Sequence, residues 1–332
     1  MQERSDQAPN QARGIVDLNI ATAGKENLWI DQAFTWLVRG FAFGTVAVLF
    51  WMSWIIFKNA QPAVQKFGLG FLSSQDWNIG ELTFGALPYI YGTLVSSAIA
   101  LLLAFPVGLA VALITSEDFL PLGVRSPISF LVELIAAIPS VIIGLWGIFV
   151  LTSFVQPIQQ WLYQYFRWIP LFSTDPSGYG GYSMFTAGII LAIMILPTMA
   201  AISREVLLVI PKELRTGSMS LGATRWETIF GVLLPAGISG IVGAAILALG
   251  RALGETMAVT MVIGNSPTIS SSLLELGYTI PAVLANEFGE AQDELHLGSL
   301  MYLALILFVL TLLVNIIAVL LVRLIGRQGR LS

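Results

Sequence analysis

Leu249-Gly250-Arg251-Ala252-Leu253-Gly254-Glu255-Thr256-Met257-Ala258-Val259-Thr260 sets an arginine and a glutamate inside otherwise apolar sequence. It lies in an apolar run, residues 238–263, that exceeds the roughly 20 residues a helix needs to cross a bilayer. A charged side chain at the centre of such a helix costs about 2.5–3.5 kcal/mol on insertion scales, so Arg251 and Glu255 need a reason to be there. They stand four apart, which predicts one shared face of a continuous helix. Their order reverses the favourable acid-before-base arrangement, so helix stabilisation is a poor reason for the pair. Arg keeps its charge and offers a planar fork of donors that fits phosphate oxygens, which suits a transient anion contact. The pair could also neutralise itself or bind a neighbouring subunit. Thr256 and Thr260 could add hydroxyl donors to such a path, or bond to their own helix backbone.

Five further apolar runs reach spanning length: residues 34–57, 90–114, 128–153, 185–203 and 299–322. The 332 residues are 56% hydrophobic and only 11% charged, a surplus of apolar surface that a soluble core cannot absorb. The expected fold is all-α and polytopic, with about six transmembrane helices. Twelve Lys and Arg fall on the N-terminal end, the second and fourth loops and the C-terminal tail, against three on the alternate loops. Positive charge is retained on the cytoplasmic side, so both termini are expected there. Residues 154–184 and 265–298 are then external, and the aromatics in the first of them form an interfacial belt or a docking surface.

Residues 1–32 are polar, without the apolar core of a signal peptide, and read as a cytoplasmic tail. Residues 33–84 hold the first helix and an outer loop, 85–325 the core with a long cytoplasmic loop at 204–236, and 326–332 a short tail. The net charge of −4 points to no nucleic acid, the absence of Cys removes disulfides and thiolate chemistry, and one His leaves no His-based metal site or triad. His296 itself reads as a surface loop residue. No cofactor is expected. Pro106, Pro139 and Pro197 fall inside spans, where they predict kinks. Gly240, Gly243, Ala244, Ala248, Gly250, Ala252 and Gly254 allow close helix approach, within the subunit or against a partner.

The fourth loop is too long for a turn. Ile210-Pro211-Lys212-Glu213-Leu214-Arg215 leads into Thr216-Gly217-Ser218-Met219-Ser220-Leu221-Gly222-Ala223-Thr224-Arg225-Trp226-Glu227. Pro211 opens a short helix, Gly222 stops it with a left-handed residue, and Arg225 begins another. Two short helices meeting at a bend are expected, with small residues at Gly217 and Ser218 that let it seat on another protein. Gly222 followed by Val232-Leu233-Leu234-Pro235 resembles the EAA loop of ABC importer permeases, although Thr216-Gly217-Ser218 stands where Glu-Ala-Ala is usual. The Arg251 stretch resembles the signature of PstC-type permease subunits of phosphate importers. So do Ala137-Ile138-Pro139-Ser140-Val141-Ile142-Ile143-Gly144-Leu145-Trp146-Gly147 and, for the start of the core, Tyr91-Gly92-Thr93-Leu94.

That resemblance, over roughly residues 85–325, implies a MetI-like permease in the inner or plasma membrane. It also implies phosphate as substrate, a PstA-type sister permease, a PstB-type ATPase dimer and an external PstS-type phosphate-binding protein. Arg251, Glu255 and Thr256 would lie on the substrate pathway, and Thr216, Gly217, Ser218, Gly222, Leu234 and Pro235 in the ATPase coupling loop. The chain has no G-x4-G-K-[ST] motif, so ATP hydrolysis is assigned to the partner and no catalysis to this subunit. Alternatives are the sister permease, a sulfate or molybdate permease, and a self-sufficient secondary transporter or channel using Glu255.

Overall fold

The computed structural model describes residues 28–117 and 119–328, so the expected tails lie almost wholly outside it. Among the described residues the chain is helical, with two isolated bridges in place of strands. Six helices are long and apolar enough to cross a membrane: Asp31–Leu72, Leu87–Ser116, Ser140–Phe166, Met184–Val209, Arg225–Leu253 and Glu294–Leu320.

The chain divides into two compact units, Met1–Ile55 and Ile56–Ser332. In the first, the described residues belong to helix α1 (Leu28–Phe67), and every side chain from 31 to 50 is exposed. A helix apolar all round with no buried stripe is a membrane span.

The second unit packs around α2 (Leu87–Ser116) and α6 (Met184–Val209). Small residues make the approach close: a Cβ on Gly188 would fall 2.3 Å from Ile99. Between them run α3 (Leu122–Ala136), α4 (Ser140–Trp146), a π turn (Gly147–Leu151) and α5 (Thr152–Phe166). The third span therefore starts at Ser140 rather than 128, and residues 154–166, expected in an outer loop, complete it. Pro139 explains the shift. It disfavours helical backbone at the residue before it and gives no N–H to the preceding turn, so the apolar run breaks there into two helices. Pro106 and Pro197 do lie inside helices, as expected.

After α6 come α7 (Lys212–Ser220), α8 (Arg225–Thr228), a π turn (Ile229–Leu233) and α9 (Leu234–Leu253). The last three are one continuous rod, so the second of the two expected short helices is the start of the fifth span. Pro235 has no N–H for the preceding turn, and the helix widens to π just before it. Next are α10 (Met257–Val262), α11 (Ile280–Glu287) and α12 (Glu294–Gln328).

The segment from α10 to α11 is tied down tightly. Gly264 and Asn265, both at positive φ, end α10, and the loop closes where Ser266 N–H donates to Gly277 O and Gly277 N–H to Ile263 O. Its carbonyls at Val262, Leu273 and Glu275 accept from Ser183, Phe185 and Met184, which satisfies amides at the start of α6 that have no partner in their own helix. Outside the spans, Tyr179 donates to Glu275, and that carboxylate raises the phenol's pKa.

His296 corrects an expectation. It is 3% exposed, bonded to Glu287 Oε2 at 3.0 Å and stacked on Phe84. The same carboxylate oxygen accepts from Trp77 Nε1 at 3.0 Å.

Candidate functional site

The fifth span does not run through the charged pair. Helix α9 stops at Leu253, Gly254 to Thr256 are non-helical, and α10 restarts at Met257. Arg251 and Glu255 therefore do not share a helical face, and no ion pair joins them among the described residues. Arg251, exposed in the last turn of α9, donates from Nη1 to Thr198 Oγ1 at 3.1 Å. Thr198 follows Pro197 near the middle of α6, so the guanidinium meets the midpoint of another span. Glu255 is half-buried, and its Oε1 accepts from Ala258 N–H at 3.4 Å. Thr256 and Thr260 take the backbone option, donating to Gly254 O and Thr256 O.

Among the described residues, one charge in this arrangement is held by a neutral hydroxyl alone, while a carboxylate sits within the next turn of chain. A guanidinium so placed keeps donors available for an anion. The break itself has a physical basis: Gly254 costs helix about 1 kcal/mol relative to Ala, and Glu255 offers its carboxylate to a new helix start.

The two sequence motifs flanking this region are explained by packing. A Cβ on Gly144 would fall 3.1 Å from Ala258 Cα, and one on Gly147 would fall 2.8 Å from Val262, so these glycines let α10 lie against α4 and the π turn that follows it. On α2, a Cβ on Gly92 would meet Tyr278 O at 2.1 Å, Thr93 Oγ1 accepts from Ile280 N–H at 2.9 Å, and Tyr91 donates to Ser270 O at 2.6 Å. Both motifs thus hold the chain that follows the break. Of the small residues in α9, Gly240 packs on Val206 whereas Gly243 and Gly250 face open space, so part of the stripe serves this subunit and part faces outward.

The bend between spans four and five is built by its caps. Gly222 at φ +91° lets its N–H donate to Met219 O and that of Ala223 to Ser218 O, the two bonds of a Schellman stop. Thr224 and Glu227 form a capping box that starts α8. Thr216, Gly217 and Gly222 are exposed, with open space where a Cβ would stand on either glycine, and Leu221 is 91% exposed. Ser218 faces inward to Thr228 Oγ1 at 3.0 Å, while Leu234 is half-buried and Pro235 exposed. Behind the bend, Arg215 grips Glu117 at the end of α2, a pair that sequence reading did not find. Thr198 was missed as well; the proline before it was the only local signal.

A core of packed helices, a span broken beside a cation and a capped bend projecting beyond the spans together fit a membrane permease. The chain belongs to the family of binding-protein-dependent transport system inner membrane components, which residues 104–328 match. Among its relatives, the phosphate transport system permease protein PstC of Mesorhizobium japonicum is 43% identical over 90% of this chain and 92% of that protein. PstC of Xylella fastidiosa is 43% identical over 82% of this chain and 84% of its own. The fold matches a subunit of a bacterial ABC transporter involved in alginate import, with a TM-score of 0.56, 20% identity and coverage of 88% of this chain and 98% of that one.

Proposed function

We propose that the chain is the PstC-type permease subunit of an ATP-driven phosphate importer and forms half of its translocation pathway. The observation that carries this reading is the likeness to phosphate permeases along nine-tenths of the chain. The geometry supports it with a mechanism. Phosphate carried into a low-dielectric pathway needs a compensating cation, and Arg251 is held there by a hydroxyl that an anion outcompetes. Glu255, one turn of chain away, disfavours lasting capture of the anion by repulsion, so release stays as accessible as entry.

Arg251, Glu255 and Thr256 then line the pathway at the break, with the outward-facing glycines of α9 toward a PstA-type sister subunit. The exposed face of α7 receives a PstB-type ATPase dimer, and a PstS-type binding protein delivers phosphate from the opposite side. Both termini and the bend are cytoplasmic, and the membrane is the inner or plasma membrane. Co-purification with the ATPase, followed by ATP hydrolysis in liposomes, tests the assignment. Hydrolysis stimulated by phosphate and its binding protein is expected; stimulation by sulfate or molybdate instead, or no associated ATPase, would overturn it.

A further inference from the structure

We propose that Arg215 and Glu117 form the strap that carries ATPase-driven displacement of α7 into spans two and four. They are positioning residues for coupling, and the proposal rests on the reading of α7 as the docking helix. On α7, Thr216, Gly217 and Met219 are exposed, as is Leu221 just beyond it, whereas Arg215 turns inward and both partners of the pair are only 15% exposed. Its guanidinium makes a two-pronged contact with Glu117, Nε to Oε1 at 3.1 Å and Nη2 to Oε1 at 2.9 Å. It also donates from Nη2 to Leu207 O and from Nη1 to Ile210 O, both at 2.7 Å.

The carbonyl bonds follow from the sequence. Leu207 O would accept from the N–H of residue 211 if α6 continued, but residue 211 is proline and has none. Arg215 supplies the missing donor and so binds the end of α6 to α7. Glu117 caps the other side. It is the first residue beyond α2, its N–H donates to Leu113 O, and its own carbonyl accepts from Arg125 on α3. One planar cation therefore joins α7 to the ends of α2 and α6 through charge-assisted bonds in a half-buried site. Movement of α7 must carry both spans or break these bonds together. Helix α6 also bears Thr198, the partner of Arg251, so displacement at its end reaches the anion contact along a packed helix. Lys cannot reproduce the strap, because one ammonium lacks the fork that engages a carboxylate and two carbonyls in fixed directions.

The test uses the full complex in liposomes and reads phosphate transported per ATP hydrolysed, with the amount of ATPase retained measured in parallel. Glu117→Gln keeps the side-chain shape and leaves the carbonyl bonds of Arg215 in place; Arg215→Lys keeps the charge. Each is expected to lower the ratio about tenfold, within the range by which coupling residues act, while ATPase retention stays normal. An unchanged ratio in the assembled Glu117→Gln complex overturns the strap. So does a fall in complex yield with a normal ratio in what assembles, which marks a purely structural pair. Gly217→Trp separates this from the docking assignment. It should release the ATPase, and full retention would overturn docking, and the strap with it; release alongside normal coupling in Glu117→Gln would overturn the strap alone.

Discussion

Arg251 donates to the hydroxyl of Thr198 across 3.1 Å, whereas Glu255, four residues on, turns to the backbone of Ala258. The two charges are therefore independent in this conformation, and their variants separate. Arg251→Gln should abolish phosphate uptake while changing stability by no more than about 0.5 kcal/mol, because the side chain is exposed. Arg251→Lys should recover only part of the rate. Uptake and membrane abundance measured together check this: loss of abundance in parallel with uptake would make Arg251 a structural residue.

At the bend, Gly222 stands at φ +91°, a conformation that costs an L side chain about 1–2 kcal/mol. A Cβ there meets no neighbour, so backbone strain is the only local effect of a small substituent. Gly222→Asn should remain coupled, since Asn tolerates the left-handed region, whereas Gly222→Trp should also obstruct docking and uncouple ATP hydrolysis from uptake. Normal ATPase retention and uptake in Gly222→Trp would remove the bend from the coupling surface.

The absence of cysteine makes topology directly measurable. Ser177, Gln292 and Leu221 are exposed on three loops: Ser177→Cys and Gln292→Cys should react with an impermeant maleimide from outside, and Leu221→Cys only from the cytoplasmic side. The reverse pattern would invert the protein.

Glu287 gives a contrasting prediction. Its carboxylate is shared by Trp77 and buried His296, so Glu287→Leu should leave donors unpaired at about 1–3 kcal/mol each and reduce thermal stability. Uptake per folded molecule should be unchanged. Adding His296→Leu should restore part of the stability, and a double variant no more stable than the single would contradict the pairing.

The helices were legible because the bilayer imposes length and apolarity, and the bend because Pro211 and Gly222 mark the start and stop of its helix, whereas the Thr224 to Glu227 capping box emerged only from the structure. Hydropathy does not register where a helix ends within apolar sequence. It ran the third span across Pro139 and the fifth across Gly254, and the second error placed Arg251 and Glu255 on one face. His296 was misread because burial beside an acid depends on Glu287 and Phe84, which sequence distance conceals. The Arg215 to Glu117 contact crosses 98 residues and has no local pattern at all.

ATP-driven phosphate import is tested by labelled-phosphate uptake into liposomes holding this subunit, the sister permease and the ATPase, with binding protein outside and ATP inside. Uptake against a gradient that requires both ATP and the binding protein, and that Arg251→Gln removes, is the predicted result. Uptake that persists without ATP and follows an imposed proton gradient would contradict the account, because the subunit would then be a self-sufficient secondary transporter.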